Sequence, residues 1–401
     1  MLKFKKDDGT SFPEWQEYPL SKLLKERKEK AIKDGTYEHV SLTKEGVVPK
    51  SERYERDFLV KSDDKAYKVT RLNDICYNPA NLKFGVICRN KYKEGIFSPI
   101  YITFETTPLV LPEFIEGLVT RTDFINYSLK YQEGTVYERM AVSPEDLLKI
   151  KVKIPCIEEQ KKIVELLQAI DERIAIQDEA VADIQAQKLS VIDKIFAQAI
   201  RFSKDDKTAF PDWETHKIGD CFQIMKGAGL SKADISENNN GTPFILYGEL
   251  YTTYHEIATQ IVRTTEQEVD EKYYSHAGDV IIPTSGESAD EISTATCVMQ
   301  DGVILAGDLN IFRSKKMDGR FFSYMMNHHK KYDVARIAQG ASIVHIQADE
   351  IKKISIPVPC MEEQKKISDF LQIFDEQIEA QKQIAEDYKV MKRALLQQLF
   401  E

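Results

Sequence analysis

The sequence has few of the features that usually announce a chemistry. Only two of its 401 residues are tryptophan, and six are cysteine. The cysteines (Cys76, Cys88, Cys156, Cys221, Cys297 and Cys360) form no CxxC pair. That spacing argues against a disulfide framework or a zinc site and fits reduced thiols used as small apolar side chains. No apolar run reaches the roughly 18–20 residues a membrane span needs. The opening segment MLKFKKDDGT has no apolar core behind its lysines, so it does not read as a signal peptide. A GxxxxGK[ST] phosphate loop, an HExxH helix and a GxSxG elbow are all missing. KGAGLSK (Lys226–Lys232) is a lone glycine-rich stretch, and NPAN (Asn78–Asn81) lacks the aromatic fourth residue of the amino-methyltransferase NPP[YF] tetrapeptide. His328 and His329 are adjacent on an expected helix, where neighbours point apart, so they read as surface rather than as a ligand pair. Excess positive charge is also absent: the net charge is −10, which excludes coating nucleic acid by bulk charge and leaves room only for local basic faces.

What is present is duplication. IPCIEEQKKI (Ile154–Ile163) returns as VPCMEEQKKI (Val358–Ile367), and KDDGTSFPEW (Lys6–Trp15) returns as KDDKTAFPDW (Lys204–Trp213). Trp15 and Trp213 occupy matching places. The unit is a leader, a globular region and a long helix, used twice. Expected boundaries are 1–155 for the first leader and globular region, 156–200 for helix one, 201–359 for the second leader and globular region, and 360–401 for helix two. The expected class is α+β, with two mixed, strand-rich domains separated by an antiparallel coiled coil of two long helices in pseudo-two-fold arrangement. A cytoplasmic location follows from cysteine usage and composition.

The globular regions hold short apolar or alternating runs punctuated by Gly, Pro, Asn and Asp, which read as strands: Leu109–Val119, Gly85–Asn90 and Ile96–Glu105 in the first, Pro243–Leu250, Asp279–Ser285 and Gly302–Arg313 in the second. Thr122–Gln132 and Phe321–Ala338 read as short helices, and Ser21–Lys33 as an amphipathic helix with a basic face, either touching phosphate or simply solvated. In the long segments apolar residues recur at heptad spacing. The first series is Ile163, Leu167, Ile170, Ile174, Gln177, Val181, Ile184, Lys188, Val191 and Ile195; the second is Ile367, Leu371, Phe374, Ile378, Gln381, Ala385, Tyr388, Lys392, Leu395 and Leu399. The candidate spacer-helix core is taken from these: Ile163, Leu167, Ile170, Ile174, Gln177, Ile367, Leu371, Phe374, Ile378 and Gln381. Helices of about 40 residues would be about 60 Å long. A compact domain with neighbouring termini cannot bridge that length, so antiparallel pairing is expected, with the chain's start near its finish. Gln177 and Gln381 read either as a polar layer that fixes register or as partly exposed seam positions.

These elements together resemble the specificity (S) subunit of type I restriction–modification enzymes, whose pattern has a strand ending in proline before EQ..I and a long helix. The resemblance covers essentially the whole chain. Leu72–Ile87 and Gly95–Phe104 look like family segments in the first region; Lys226–Ile235, Ile245–Thr252, Ala277–Ser288 and Gly307–Arg313 do so in the second. Asn73 stands where the family often has glycine before Asp-Ile, and Gly278 keeps that glycine in the second copy. The resemblance implies two target recognition domains, each reading one half of a bipartite double-stranded DNA site, with the helices setting the gap. It implies no catalysis by this chain. Methylation would belong to two methyltransferase (M) subunits docked on the helices and leaders and using S-adenosylmethionine; ATP- and Mg-dependent translocation and cutting would belong to restriction (R) subunits joined through the M–S core.

Readout of base edges needs Arg or Lys for guanine and Asn or Gln for adenine, while phosphate takes Lys, Arg, Ser, Thr and backbone N–H. Residues of that chemistry in loop-like stretches are Ser41, Thr43, Lys44, Lys50, Arg53, Asn78, Asn81, Lys83, Arg89 and Lys91 in the first region. Those in the second are Lys226, Ser231, Lys232, Tyr247, Glu249, Tyr251, Thr252, Thr284 and Ser285. Each reads equally well as a solvated loop residue. Two rivals remain at this point: a fused methyltransferase–nuclease, and a scaffold carrying two protein- or small-molecule-binding modules.

Overall fold

The structure, a computed structural model, describes residues 4–400 except 33–34, 45, 51–65, 134–139, 239, 287 and 339–343. It divides into two compact bodies: Met1–Gln177 with Gln383–Glu401, and Asp178–Lys382. Each long helix is therefore shared between the bodies, because each helix half buries its seam in the core of a different globular region.

The two long helices are Ile157–Phe196 and Met361–Phe400, 40 residues each. No glycine or proline interrupts either, and two glutamates in each first turn favour the positive helix end. The first ends through Gln198 at φ 56°, with the Ala199 and Ile200 amides both bonded to the Lys194 carbonyl. Every heptad position read from the sequence is buried or half-buried. In the first body Leu167 and Leu396 both meet Gly117, and the Lys392 ammonium bonds Asp171 at 2.5 and 2.7 Å, so the helix halves run antiparallel. In the second, Lys188 bonds Asp375 at 2.5 Å and Arg201 bonds Glu363, again antiparallel. Gln177 and Gln381 are both half-buried on the seam. The chain's start does meet its finish: Trp15 packs edge-on against Phe400, ring centroids 6.1 Å apart.

The first body is built on an antiparallel four-stranded sheet in the order Leu24–Glu26, Ile102–Thr106, Ile75–Tyr77, Ile87–Arg89. The second has the same order and directions in Gln223–Lys226, Leu309–Arg313, Asp279–Pro283, Thr296–Val298, extended by Ile257–Ala258 in parallel. A common sheet thus lies beneath sequences that align poorly. Each core joins its sheet to the helix seam. Ile163, Val164, Leu167 and Leu399 enter the first; Ile192, Ile195, Phe196, Ile367 and Leu371 enter the second. Burying one such side chain stabilises by about 1.5–3 kcal/mol.

Two expected elements differ. Leu109–Val119, read as a strand, holds the helix Pro112–Val119: Pro112 supplies the fixed φ of a first turn, and Phe114, Ile115, Leu118 and Val119 form one buried face. The basic helix expected over Ser21–Lys33 shrinks to Leu20–Leu23, followed by the strands Leu24–Glu26 and Lys30–Ala31. Beyond Leu24 the run has no apolar period to hold a helix, and pairing of Glu26 with Phe104 wins instead.

The repeated motifs make repeated contacts. Gln160 and Gln364, from the two EEQKK elements, are buried. Gln160 Nε2 donates to Pro155 O (2.9 Å) and Leu109 O (3.0 Å), and its Oε1 accepts the Leu111 amide at 2.8 Å. Gln364 donates to Pro359 O at 2.8 Å and accepts the Asp318 amide at 2.9 Å. Each glutamine pairs the proline carbonyl just before its long helix and ties that helix start to its globular region. Lys162 pairs with Asp7 and Lys366 with Asp205, both at 2.5 Å. In the leaders, Gly9 and Lys207 close the same turn at φ 82° and 66°. Asn73 and Gly278 likewise both adopt positive φ, 71° and 97°. The asparagine departure is therefore tolerated geometrically, as Asn is the non-glycine residue best suited to that region.

Candidate nucleic-acid interface

Each turn before Asp-Ile or Asp-Val aims a buried carboxylate. Asp74 accepts Arg27 Nε and Nη2 (2.8 and 2.9 Å) and the Arg71 amide (2.8 Å). Asp279 accepts Arg313 Nη2 at 2.6 Å and the His276 amide at 2.9 Å. The hydrogen bond to Asp74 is the main cause raising the pKa of Arg27, and that to Asp279 does the same for Arg313. These pairs fix the strand ends opposite those from which Asn78, Thr284 and Asp308 depart.

In the first body Ser41, Thr43, Lys44, Asn78 and Asn81 line one open cleft of about 730 Å³, between the hairpin Val40–Leu42/Val47–Pro49 and the turn after Ile75–Tyr77. The hairpin turn is closed by the Thr43 amide on the Gly46 carbonyl at 2.8 Å. Asn78 folds the other turn by accepting the Ala80 and Asn81 amides on Oδ1 at 3.1 and 3.3 Å. Lys44 is exposed at the rim. Phe84 (55% exposed) and Ile100 (60% exposed) also line the cleft, and sequence reasoning missed both because apolar residues read as core. Lys83 is exposed, its ammonium 5.0 Å from the Phe84 ring centroid. Lys50 is half-buried outside the cleft, and Arg53 lies outside the described residues.

Arg89 and Lys91 do not join this cleft. Arg89 Nε bonds Glu116 (3.0 Å), while its Nη1 bonds Glu113 (3.0 Å) and Asn73 Oδ1 (2.6 Å). Lys91 pairs with Glu116 at 2.9 Å. Both line a separate crevice against the helix seam. Arg89 is matched by carboxylates inside the fold while Lys91 stays exposed, because the stretch read as a strand became a helix carrying two glutamates toward them.

In the second body Tyr247, Thr284 and Ser285 converge on the turn at Gly307–Asp308. The Gly307 amide bonds the Ala228 carbonyl (2.7 Å), and the Tyr247 ring approaches Gly307. Thr284 N–H bonds the Asp308 carbonyl at 2.8 Å, and Ser285 Oγ bonds its carboxylate at 3.1 Å. Tyr251 donates to the Ser285 carbonyl at 3.1 Å, and burial raises its phenol pKa. Thr252 is exposed, with its hydroxyl on the Gly248 carbonyl. Lys226, Ser231 and Lys232 are exposed; Ser231 caps the turn Lys232–Asp234. Glu249 is a correction: it is buried, accepting the Leu246 amide at 2.9 Å and Arg263 Nε at 2.6 Å, so it shapes the loop rather than reading a base. His328 and His329 are not plain surface residues either. His328 bonds Glu256 at 2.7 Å, and His329 stacks on Phe196, where burial lowers its pKa.

Both loop clusters present hydroxyls, amides, exposed lysines and apolar edges on rigid sheets. That array can contact phosphates and base edges. Among the described residues no cluster of His, Cys, Asp or Glu has metal-holding geometry, and no helix is long and apolar enough to cross a membrane.

A duplicated frame carrying two different loop clusters defines a class of paired-module proteins. The family comparison makes it specific: the chain belongs to the family described as type I restriction modification DNA specificity domain, matched over residues 119–186 and 211–387. It is 23% identical over 278 residues to the putative type I restriction enzyme MjaX specificity subunit of Methanocaldococcus jannaschii, covering 67% of this chain and 62% of that relative, less than two thirds of its length. It is 23% identical over 325 residues to the MjaVIII specificity subunit of the same organism, covering 76% and 73%. Its fold is similar to a chain from a structure concerned with assembly and conformational transition of the type I R-M system (TM-score 0.57, 18% identity, 98% and 99% covered). It is similar also to the S subunit of a type I restriction–modification system from M. genitalium (TM-score 0.56, 15% identity, 100% and 98% covered).

Proposed function

We propose that the chain is the DNA-specificity subunit of a type I restriction–modification complex and performs no catalysis itself. The first body reads one half-site through the cleft of Ser41, Thr43, Lys44, Asn78 and Asn81. The second reads the other through the loops around Gly307–Asp308. The paired helices set the gap and, with the leaders, dock two M subunits, through which R subunits join. S-adenosylmethionine, ATP and Mg belong to those partners. The carrying observation is that the duplicated motifs make matched contacts in both bodies while the loop clusters differ. Identical frames with unlike tips suit a target with two unlike halves. Methylation sequencing of DNA from cells carrying this chain with its M subunit tests the reading. The expected result is a motif of two parts with a fixed gap. A continuous motif, or S-adenosylmethionine binding by the purified chain alone, contradicts it.

A further inference from the structure

Lys188 lies on the first long helix with its ammonium almost fully buried. It bonds Asp375 of the second helix at 2.5 Å and pairs with Glu256 of the recognition sheet at 3.1 Å. Its ammonium also stands 5.1 Å from the Tyr324 ring centroid. Tyr324 donates its hydroxyl to Asp375, and His328 bonds the same Glu256 oxygen at 2.7 Å. Glu256 is itself fixed: its carbonyl accepts the Cys297 amide (2.8 Å) and Ser323 Oγ (2.6 Å). One side chain therefore joins both helices to the sheet through half-buried groups at the floor of an open cleft lined by Lys188, Glu256, His328 and Asp375.

The recognition region has another attachment nearer the start of the second helix, where Gln364 holds the Asp318 amide and Arg320 bonds Asp369 (2.7 Å) and Gln372 (2.9 Å). From Gln364 to Asp375 the helix rises by roughly 16 Å. The shared core around Ile367 and Leu371 lies between these two links, so Lys188 is the polar tie farther along the helix and adds leverage over the region's angle.

We infer that Lys188 is a positioning residue that sets the angle of the second recognition region on its helices and thereby the base-pair gap at which the second half-site is read. This rests on the specificity-subunit reading above. Because the Gln364 and Arg320 attachment and the shared core around Ile367 and Leu371 remain, loss of the Lys188 link leaves the region docked but less firmly held at this end.

The test is methylation, by the chain assembled with its M subunits, of duplexes carrying both half-sites at the native gap or one base pair shorter or longer. Lys188→Met is expected to cut the preference for the native gap by about tenfold or more, since ångström-scale misplacement carries losses of that order. Lys188→Arg restores it. Lys392→Met, at the matching but exposed pair with Asp171, changes it less than about twofold. If Lys188→Met fails to fold, Tyr324→Phe, which removes one hydroxyl, carries the test with a smaller loss in the same direction. Unchanged gap preference in the folded variant, with the wild type gap-selective, overturns this inference alone. A wild type indifferent to both half-sites and gap overturns the reading beneath it.

Discussion

Lys188 and Lys392 occupy matching places in the two copies, and so do their partners Asp375 and Asp171. The inherited contact is the same; the surroundings are not. In the first body the pair is half in water, with side-chain exposures of 28% for Lys392 and 51% for Asp171. In the second, Lys188 is 8% exposed and drawn into a network with Glu256, Tyr324 and His328. A buried ion pair is held only when further polar groups satisfy it, and the second body supplies them. Duplication fixes where a charge is placed; what grows around it decides whether that charge merely decorates a helix or joins three elements.

The sharpest way to break this comparison is to remove each lysine in turn. Lys188→Ala is expected to cost about 2–3 kcal/mol in denaturant unfolding, because it takes the shared cation from Glu256 (12% exposed) and Asp375 (29% exposed). Lys392→Ala is expected to cost about 0–1 kcal/mol. Equal losses would show that burial makes no difference.

Acid probes the same network. Burial raises the pKa of Glu256, but the His328 hydrogen bond and the Lys188 charge outweigh this and bring it from 4.5 to about 2. A depressed carboxylate stabilises above its unfolded pKa, and that stability is lost as pH falls through the folded value. Burial raises Asp375, so its contribution runs the opposite way. Unfolding of the wild type should therefore weaken between about pH 5 and pH 2 by up to about 3 kcal/mol more than that of Glu256→Gln. Parallel pH profiles would remove Glu256 from the network.

Where the bodies match, effects should match. Gln160→Ala and Gln364→Ala each leave buried amide and carbonyl groups unpaired, at about 1–3 kcal/mol apiece. A large inequality would mean that the two EEQKK elements no longer do the same work. Smallest is the leader turn: Lys207→Gly relieves a positive φ and should stabilise by about 0.5–1 kcal/mol, while Gly9→Lys destabilises by a similar amount. Thermal melts of the paired variants check both.

The frame was legible in the sequence for a physical reason. Heptad spacing survives any tertiary context, so the seam from Ile163 to Ile195 and its partner from Ile367 to Leu399 could be read residue by residue. Short elements were less legible. Leu109–Val119 carries apolar density that suits a strand until Pro112 starts a helix. The charges of Ser21–Lys33 suggested a basic face where tertiary pairing makes strands. The site divided along the same line. Loop residues with hydroxyl or amide chemistry, such as Thr43 and Asn78, do gather in the cleft. Arg89 and Glu249 were misassigned because only three-dimensional packing reveals that their charges are already matched. Phe84 and Ile100 gave no signal, since exposure of an apolar side chain is not written in its identity.

The central claim is that the helices act as a ruler between two readers. Inserting one heptad at matching places in both lengthens the pair by roughly 10 Å, about 3 bp of DNA. Methylation sequencing of cells carrying that variant with its M subunit should return the same two half-sites with a gap widened by about 3 bp. Altered half-sites with an unchanged gap would contradict the account.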